Sequence, residues 1–418
     1  MKQFYLLGVL ITGLFFCSSA QQRCASFEVL KQQMADNPSF AQKVKATERS
    51  FANYERRGAD LQKGQPQTLT IPVVVHIVYN TPDQNISDAQ IASQIEVLNE
   101  DFTATNRDYR NYDAGYGAVK GDADIEFCLV QIVRVNTTHK SFPTSDAVKF
   151  TQRGGSDAVT PMNAMNIWVC NLGQNLLGYA QYPGGDPARF GIVCHYRAFG
   201  RGSQYNLFTN YDLGRTMTHE VGHCLGLRHI WGDTRCGDDF VDDTPLHNAA
   251  NFGCPGAGHL STCIATPLEM WMNYMDYTDD RCMYFLSDAQ VSRMNFFIDT
   301  DEQLQSIFNS TCTSNCSGTP VTGNKLQSQQ STRDTESTLL VFPSIANKTV
   351  NVQWQSAQAG KYELTVFDLN GAAVLKQSVQ LTGGTTLRKL DISSLVQGMY
   401  ILQLGNQQGN KVARFIVQ

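Results

Sequence analysis

Apolar and polar positions divide the chain into segments with different periods. Residues 4–16 form an unbroken apolar run, whereas residues 21–57 are polar and rich in helix formers. Residues 68–80 form a second apolar run, which is typical of a buried strand. A helix is predicted next, because a Ser87 cap precedes apolar side chains at helical spacing, namely Ile91, Ile95, Leu98 and Phe102.

The middle of the chain alternates apolar runs with loops. Further strands are predicted at residues 127–135, 165–170, 179–185 and 190–196. A loop-rich and Cys-rich stretch follows at 233–285, and the last helix of this region is predicted at 287–298.

The C-terminal part of the chain has a different pattern. Residues 313–336 are rich in Ser, Thr and Gln, which predicts a linker. Beyond them apolar residues alternate with polar ones, and Asn370-Gly371 stands between two such runs as a hairpin turn. Residues 337–418 are therefore predicted to form an all-β sandwich.

The N-terminus indicates export. Lys2, the 13-residue apolar run at 4–16 and the small residues at 18–20 predict a secretory signal peptide, residues 1–20. The alternative is a buried N-terminal helix. No segment is long and apolar enough to predict a transmembrane helix, and a net charge of −5 without a basic run argues against a nucleic-acid partner.

Processing and cysteine content extend this picture. Residues 21–57 end in the basic joint Arg56-Arg57-Gly58, so we expect a pro-segment with a processing site; a docked helical extension is the alternative. Loss of the signal peptide removes Cys17 and leaves eleven of the twelve cysteines. An exported chain favours disulfides, and an odd count leaves at least one thiol over.

The stretch HEVGHCLGLRH (219–229) carries the strongest chemical signal. His219 and His223 are four residues apart, so a helix places both imidazoles on one face. Gly226 would end that helix and allow a sharp turn that brings His229 to the same point. Three imidazoles with an open fourth position are typical of a catalytic zinc. Glu220 is then placed to act as the general base.

Two other interpretations compete with a working zinc enzyme. An amphipathic helix with incidental histidines would not need this long motif. The second is a metal site without activity, as in a secreted surface adhesin or binding module with a structural metal. Such a site would not need Glu220, and the presence of Glu220 therefore argues against it.

The longer motif resembles the metzincin metallopeptidases, and its surroundings resemble the short bacterial branch of the pappalysin family. The similarity covers residues 68–300 and rests on IPVVVHIVYN, ISDAQIASQIEVLNEDF, HIWGD, CGDDFVDDTP and MNYMDYTDDRCM. It implies a catalytic domain at 58–312 with an α+β metzincin fold: a twisted mixed sheet, an active-site helix and a loop-rich lower subdomain. The implied function is a secreted zinc endopeptidase that hydrolyses proteins and peptides.

The resemblance assigns roles around the zinc. Met275 matches the Met-turn methionine beneath the metal, and Tyr277 matches a tyrosine that can stabilise the oxyanion. The family prefers arginine after the scissile bond, through an acid at the pocket floor. Asp280 is the best match and Asp279 the second, although Arg281 next door could neutralise such a pocket.

The family also implies two disulfides and a calcium loop. The implied pairs are Cys236–Cys263 and Cys254–Cys282, which would cross-link the loops of the loop-rich subdomain. Clustered carboxylate and backbone oxygens suit Ca²⁺, and the candidate ligands are Asp239, the Val241 carbonyl and Thr244. A solvated acidic loop is the alternative.

The odd thiol has a family counterpart as well. Cys24 resembles the cysteine switch of related zymogens, in which a thiolate takes the fourth zinc position, although Ala25 stands where glycine is expected. The alternative is a disulfide of Cys24 with another cysteine. Cys224, inside the motif helix, is expected to be a buried thiol.

The C-terminal β segment resembles the sorting domain of type IX secretion cargo. It carries VFPSIANKTV, YELTVFDLNGAAVLKQ and a final KVARFIVQ. The resemblance implies export through the periplasm and across the outer membrane by that machinery, to the cell surface or beyond. A carbohydrate-binding or generic β-sandwich module is the alternative.

Overall fold

The computed structural model describes two compact units, one before and one after the predicted linker. Four predicted features lie outside the described residues: the signal peptide at 1–20, Arg57 and Gly58 of the basic joint, the linker at 313–336 and the Asn370-Gly371 turn. The described residues are 23–56, 68–111, 115–173, 176–310, 339–342, 345–346, 348–356, 360–368, 372–381, 384–406 and 409–417. Among them, no helix has both the length and the apolar character needed to cross a membrane.

The first unit begins with two helices from the predicted pro-segment. Helix α1 spans Ser26–Asp36 and α2 spans Pro38–Arg56. Pro38 at the start of α2 lacks an amide hydrogen, so it fits a first helical turn but not the interior of one longer helix. Helix α2 buries Phe40, Val44 and Phe51 in the main core of the unit.

A five-stranded sheet forms the centre of this unit. Its strands are β1 (Leu69–Tyr79), β2 (Ile125–Asn136), β3 (Met165–Cys170), β4 (Gly178–Ala180) and β5 (Ile192–His195). They lie in the order β2-β1-β3-β5-β4, and all neighbours are parallel except β4 and β5. The mixed α+β fold is confirmed, with β4 as a short antiparallel edge.

Helices pack beside this sheet and behind the edge strand. They are α3 (Asp88–Phe102), α4 (Arg107–Asn111), α5 (Arg215–Cys224), α6 (Asp288–Thr300) and α7 (Glu302–Phe308). Ser87 caps α3 by accepting a hydrogen bond from the Gln90 amide, as its sequence predicts.

Two of the predicted boundaries were wrong. The strand predicted at 179–185 ends at Ala180, because the chain turns at Pro183, which cannot donate to a ladder. The helix predicted at 287–298 is not the last of the unit. Asp301 caps a further helix, α7, by accepting from the Gln303 and Leu304 amides.

The stretch 233–285 is loop-rich, as predicted, and its regular structure is one 3₁₀ turn at Asp280–Cys282. Disulfides join Cys236 to Cys263 and Cys254 to Cys282. These are the pairs that the family resemblance implies, and they cross-link loops that have little backbone hydrogen bonding of their own. Cys128 is also disulfide-bonded.

The second unit is the predicted β-sandwich. A five-stranded sheet in the order β10-β9-β12-β13-β7 faces a three-stranded sheet in the order β11-β8-β6. Val352 of one sheet and Val366 and Leu402 of the other lie fully buried in one core. The strands are β6 (Leu339–Phe342), β7 (Ile345–Ala346), β8 (Thr349–Ser356), β9 (Gly360–Phe367), β10 (Ala373–Leu381), β11 (Gly384–Asp391), β12 (Gly398–Asn406) and β13 (Gly409–Val417).

Candidate metal centre and active site

Helix α5 and the turn after it bring the three motif histidines together. His219 and His223 lie one turn apart on α5, which ends at Cys224. Gly226 follows with φ +92°, and a Cβ there would lie 2.2 Å from the Phe297 ring. The position therefore requires glycine, and the turn that it makes returns the chain so that His229 faces the helix.

The Nε2 atoms of the three imidazoles converge on one point. The His223 Nε2 lies 3.1 Å from the Nε2 of His219 and 3.1 Å from that of His229. All three side chains are buried. Each ring thus directs the same nitrogen into a small shared volume.

The opposite nitrogen of each ring contacts an acceptor, which fixes its tautomer. The Nδ1 of His219 donates to the Tyr274 carbonyl at 2.7 Å, and that of His223 donates to the Leu227 carbonyl at 2.9 Å. The Nδ1 of His229 lies 2.5 Å from the Asp233 carboxylate. With Nδ1 protonated, each Nε2 presents a lone pair to the other two.

This donor set fits zinc. Burial, and then the neighbouring histidines, lower the pKa of His219 and His223 well below the ordinary value, so these rings are neutral ligands. Three lone pairs aimed at one another repel unless a cation lies between them. Tetrahedral zinc with bonds of about 2.0–2.1 Å needs donors roughly 3.3 Å apart, close to the spacing observed.

Glu220 lies beside this cluster and is fully buried. Its Oε2 accepts a 2.8 Å hydrogen bond from the Ser26 hydroxyl, whereas Oε1 has no hydrogen-bond partner among the described residues. Burial raises the pKa of Glu220 to about 8, and Ser26 and Cys24 oppose that rise. A carboxylate with a pKa near neutrality can both accept and return a proton.

Cys24 reaches the centre from the N-terminal segment. Its Sγ and the three imidazole donors all lie within 4.8 Å of one another. The segment is held by the edge strand, since the Ala25 amide donates to the Gly178 carbonyl at 3.1 Å and the Gly178 amide donates to the Arg23 carbonyl at 3.3 Å. Burial, and then the nearby Glu220 carboxylate, raise the pKa of the Cys24 thiol well above its ordinary value.

Met275 and Tyr277 flank the centre from below and from the side. Met275 is fully buried, and a Cβ at Gly222 of α5 would lie 2.5 Å from its sulfur, so the methionine packs directly beneath the motif helix. The Tyr277 ring centre is 5.0 Å from that of His229, and its hydroxyl donates to the Cys24 carbonyl at 3.1 Å. Burial raises the pKa of Tyr277 well above its ordinary value, so its hydroxyl stays a donor.

Asp280 lies at the bottom of a pocket that Arg23 fills. The Arg23 Nη2 is 3.2 Å from the Asp280 Oδ1, and both side chains are completely buried. The other carboxylate oxygen accepts from the Leu213 and Arg215 amides, at the start of α5. Burial raises the pKa of Asp280, and the Arg23 guanidinium opposes that rise because it stabilises the charged carboxylate.

The position of Arg281 differs from the expectation that it could neutralise the acid at position 280. Arg281 does not neutralise this pocket: its side chain is 69% exposed and pairs with Asp279 at 3.0 Å. Consecutive residues of the 3₁₀ turn point in different directions, so Asp279 and Arg281 form an ion pair away from Asp280.

The acidic loop gathers the three candidate calcium ligands. The Thr244 hydroxyl lies 2.8 Å from the Asp239 Oδ1 and 2.8 Å from the Val241 carbonyl oxygen. Burial raises the pKa of Asp239 to about 8, and its Oδ2 has no hydrogen-bond partner among the described residues. A buried carboxylate with an unpaired oxygen next to two further oxygens is more typical of a site for a hard cation than of a solvated acidic loop.

Three contributors to the site were missed by sequence reasoning. Ser26 hydrogen-bonds Glu220, Asp233 orients His229, and Arg23 occupies the Asp280 pocket. The Asp233 contact could have been found, since it closes the quoted HIWGD motif. Ser26 and Arg23 contact residues about two hundred or more positions away, and local spacing carries no signal for that.

Comparison with known proteins agrees with this geometry. Residues 157–299 match the family model described as Pregnancy-associated plasma protein-A, and residues 340–418 match that of the secretion system C-terminal sorting domain. An extracellular metalloprotease of Colletotrichum graminicola is 31% identical over 242 residues, which cover 55% of this chain and 76% of the relative. One from Arthroderma benhamiae is 28% identical over 265 residues, 60% of this chain and 79% of the relative.

Two solved structures are similar over most of their length. Mature mirolysin of Tannerella forsythia in complex with a cleaved peptide is 44% identical, with a TM-score of 0.56 over 58% of this chain and 96% of that one. A promirolysin mutant of the same organism is 40% identical, with a TM-score of 0.62 over 68% of this chain and 97% of that one.

A metallopeptidase fold, a three-histidine centre and these relatives define the class. The chain belongs to the pappalysin family, as a metalloendopeptidase with a type IX sorting domain at its C-terminus. Family membership implies a zinc ion, and the geometry of His219, His223 and His229 fits it.

Proposed function

We propose that the chain is a secreted zinc endopeptidase made in a latent form, with residues 58–312 as its catalytic domain. The observation that carries this proposal is the group formed by Cys24 and the three histidines, all within 4.8 Å, with Glu220 beside it. Metal donors, a buried general base and a thiol from a separate N-terminal segment occur together in a latent hydrolase. A purely structural metal site requires neither the base nor the thiol.

Each residue of the proposed site has a chemical task. A zinc ion held by His219, His223 and His229 supplies a Lewis acid that polarises a peptide carbonyl and acidifies water. Glu220, whose Oε1 is unpaired among the described residues, takes a proton from the attacking water and returns it to the leaving amine. The Tyr277 hydroxyl donates to the oxygen of the tetrahedral intermediate once it no longer contacts the Cys24 carbonyl. Met275 supports the helix from below.

Latency follows from the position of the N-terminal segment. The Cys24 Sγ lies 3.4 Å from the Glu220 carboxylate, and the Ser26 hydroxyl lies 2.8 Å from it. Together they occupy the space that the attacking water needs. Similarity to a promirolysin structure supports a zymogen, with residues 21–57 as the pro-segment. Cleavage within the joint Arg56-Arg57-Gly58 would release this segment and open the cleft.

Arg23 supports a preference for arginine immediately after the scissile bond. In the latent chain its guanidinium occupies the Asp280 pocket, next to the histidine cluster. The pocket floor is polar and buried, and the Arg23 Nη1 also donates to the Thr278 carbonyl. A substrate arginine can make the same contacts, whereas an apolar side chain would leave Asp280 buried and unpaired.

Calcium binding and export complete the proposal. Asp239, the Val241 carbonyl and Thr244 would hold a Ca²⁺ ion that ties the acidic loop to the catalytic domain. A signal peptide at 1–20 would direct the chain to the periplasm. A sorting domain at 337–418, after the linker at 313–336, would then take it across the outer membrane through the type IX machinery. The match to the sorting-domain model supports the last step.

One assay tests the proposed activity. The full chain, allowed to process itself with zinc and calcium present, should hydrolyse a quenched peptide that contains a single arginine. Mass spectrometry of the products should place the cut before that arginine. Chelation should stop the turnover, and added zinc should restore it. A processed, zinc-loaded chain without turnover of any peptide would overturn the proposal.

A further inference from the structure

Glu48 of α2 makes a buried cluster with three residues of the catalytic domain. Its Oε1 lies 2.8 Å from the Arg228 Nη2 and 3.1 Å from the Tyr182 hydroxyl. The Arg293 Nη2 lies 2.8 Å from each Glu48 oxygen. The Arg293 side chain is completely buried, and those of Glu48 and Arg228 are each 14% exposed. One carboxylate is therefore held by two guanidinium groups.

The two arginines are held in place by residues outside the pro-segment. The Arg293 Nε donates to the Gly226 carbonyl at 2.8 Å, and its Nη2 donates to the Tyr182 hydroxyl, also at 2.8 Å. That hydroxyl in turn donates to the same Gly226 carbonyl at 2.7 Å. The Arg228 guanidinium lies over the Tyr182 ring, 5.3 Å from its centre. None of these contacts involves Glu48, although Arg293 also lies over the Phe51 ring of α2.

Departure of the pro-segment leaves the two cations without their counter-ion. Among the described residues, Glu48 is the one carboxylate within ion-pair distance of Arg228 or Arg293. Even with Glu48 in place, the Arg293 Nη1 is buried and has no hydrogen-bond partner among the described residues. Two adjacent, partly desolvated guanidinium groups repel each other, and a planar carboxylate relieves that repulsion with charge-assisted hydrogen bonds.

The cluster lies along the substrate cleft, on the side away from the arginine pocket. Arg23 fills the Asp280 pocket, Cys24 pairs with Gly178, and the Ser26 hydroxyl accepts from the Ala180 amide at 2.8 Å. The N-terminal segment therefore follows the edge strand from the pocket past the histidines. Further along, a cavity is lined by Ser26, Phe27 and Leu30 of the pro-segment and, among others, by Tyr182, Arg228 and the Asp233 carboxylate.

A peptide that is cut before its arginine must place the preceding residue at the histidines, where the pro-segment has Cys24. With its arginine in the pocket, it would therefore lie along the same strand but run in the opposite direction to the pro-segment. Its residues before the scissile bond would run along Gly178 and Ala180 towards Tyr182. An extended chain advances about 3.3 Å per residue, so Tyr182 is reached roughly three or four residues before the cut.

We propose that Tyr182, Arg228 and Arg293 form a carboxylate site that holds Glu48 in the latent chain and binds an acidic side chain of the substrate in the processed enzyme. The acidic residue lies about three or four positions before the scissile bond. This assignment rests on the proposed endopeptidase function. It makes the enzyme select for an acid on one side of the cut and an arginine on the other.

Matched peptides test the site. Each contains one arginine and carries either Glu or Gln at one of the five positions before the cut. For the processed, zinc-loaded full chain, one position should favour Glu over Gln by on the order of 10-fold in kcat/KM. Arg228→Gln should bring that ratio to about one, whereas Arg235→Gln, an exposed arginine of the next loop, should keep it. Arg293 is left intact because it also holds Gly226.

A binding measurement separates this site from the catalytic proposal. The Glu220→Ala chain, cut at the Arg56-Arg57-Gly58 joint by an added arginine-specific protease, is titrated with the same peptides carrying a fluorescent label. The Glu peptide should bind about 10-fold more tightly than the Gln peptide, and Arg228→Gln should remove the difference. This outcome without cleavage by the wild type would overturn the peptidase proposal and keep the carboxylate site. Equal affinities and equal kcat/KM values at all five positions would overturn the carboxylate site.

Discussion

Arg23 and Asp280 are 257 residues apart in the sequence, and they form an ion pair with both side chains fully buried, 3.2 Å between Nη2 and Oδ1. The cation comes from the N-terminal segment and the acid from the loop-rich half. Because the next residue, Cys24, lies among the histidines, one short stretch of chain contacts both Asp280 and the metal centre. The proposed arginine preference follows from this contact, since a substrate arginine would take the place of Arg23.

Loss of the pocket acid should remove the arginine preference. Asp280→Asn keeps the size of the side chain and an oxygen for the Leu213 and Arg215 amides, but it loses the charge. We expect kcat/KM for an arginine peptide, relative to a leucine peptide, to fall about 10- to 100-fold. The matched control is Asp279→Asn, since Asp279 pairs with exposed Arg281. An unchanged ratio in Asp280→Asn, or an equal fall in the control, would contradict this assignment.

The thiol of Cys24 should delay activation. Cys24→Ala removes a donor from the histidine cluster and a group that shields Glu220, so activity should develop sooner after zinc is added. The time course of peptide hydrolysis by purified full-length chain measures this. Cys170→Ala provides the control, because Cys170 is a buried thiol that is not part of the histidine cluster. The same lag in Cys24→Ala and wild type would exclude the switch.

The Glu48 cluster predicts a pH-dependent stability. Burial raises the pKa of Glu48, but Arg293 and Arg228 outweigh it, and the net pKa lies below the ordinary 4.5. A depressed folded-state pKa stabilises the fold above the unfolded value and loses that contribution as the pH falls through the folded value. Breaking such a buried pair costs about 3–5 kcal/mol.

Thermal unfolding of wild type and Glu48→Gln measures this contribution. At pH 7 the variant should unfold at a lower temperature than the wild type. The difference should shrink as the pH falls below 4.5, where the unfolded wild-type chain takes up a proton, and should be lost once the pH is below the depressed folded-state pKa. A difference that persists undiminished at pH 3, or none at pH 7, would show that the ion pair does not stabilise the latent chain.

Calcium should stabilise the acidic loop through Asp239. At a calcium concentration 100-fold above Kd, the stabilisation should be about 2.7 kcal/mol, visible as a higher melting temperature. Asp239→Asn should abolish the response, and Asp242→Asn, an exposed acid of the same loop, should retain it. A melting temperature that is insensitive to both calcium and its chelator would remove calcium from the account.

Helices, strands and site residues could be predicted from the sequence where a local pattern of residue types determines them. Strand β3 occupies the predicted residues 165–170, because a mainly apolar run suits a strand buried on both faces. The histidine cluster was predictable for a similar reason, since one helical turn and one glycine fix the positions of His219, His223 and His229. In both cases the pattern that predicts the structure lies within one short segment of the sequence.

Features that depend on distant contacts were not predictable. The edge strand stops at Ala180, and the N-terminal segment, not a longer strand, pairs along it. The partners of Glu48 are as far as 245 residues away in the sequence. The polar sequence of its helix therefore gives no sign that this carboxylate forms a buried ion pair. The contact of Ser26 with Glu220 likewise could not be predicted from the sequence around Ser26.

The central claim is that Glu220 is the general base of a zinc peptidase. Its most direct test compares processed wild type and Glu220→Gln for bound zinc and for kcat on an arginine peptide. We predict equal zinc content, because the histidines remain, and a fall in kcat on the order of 10²- to 10⁴-fold. A zinc-loaded Glu220→Gln chain that retains wild-type kcat would contradict the mechanism.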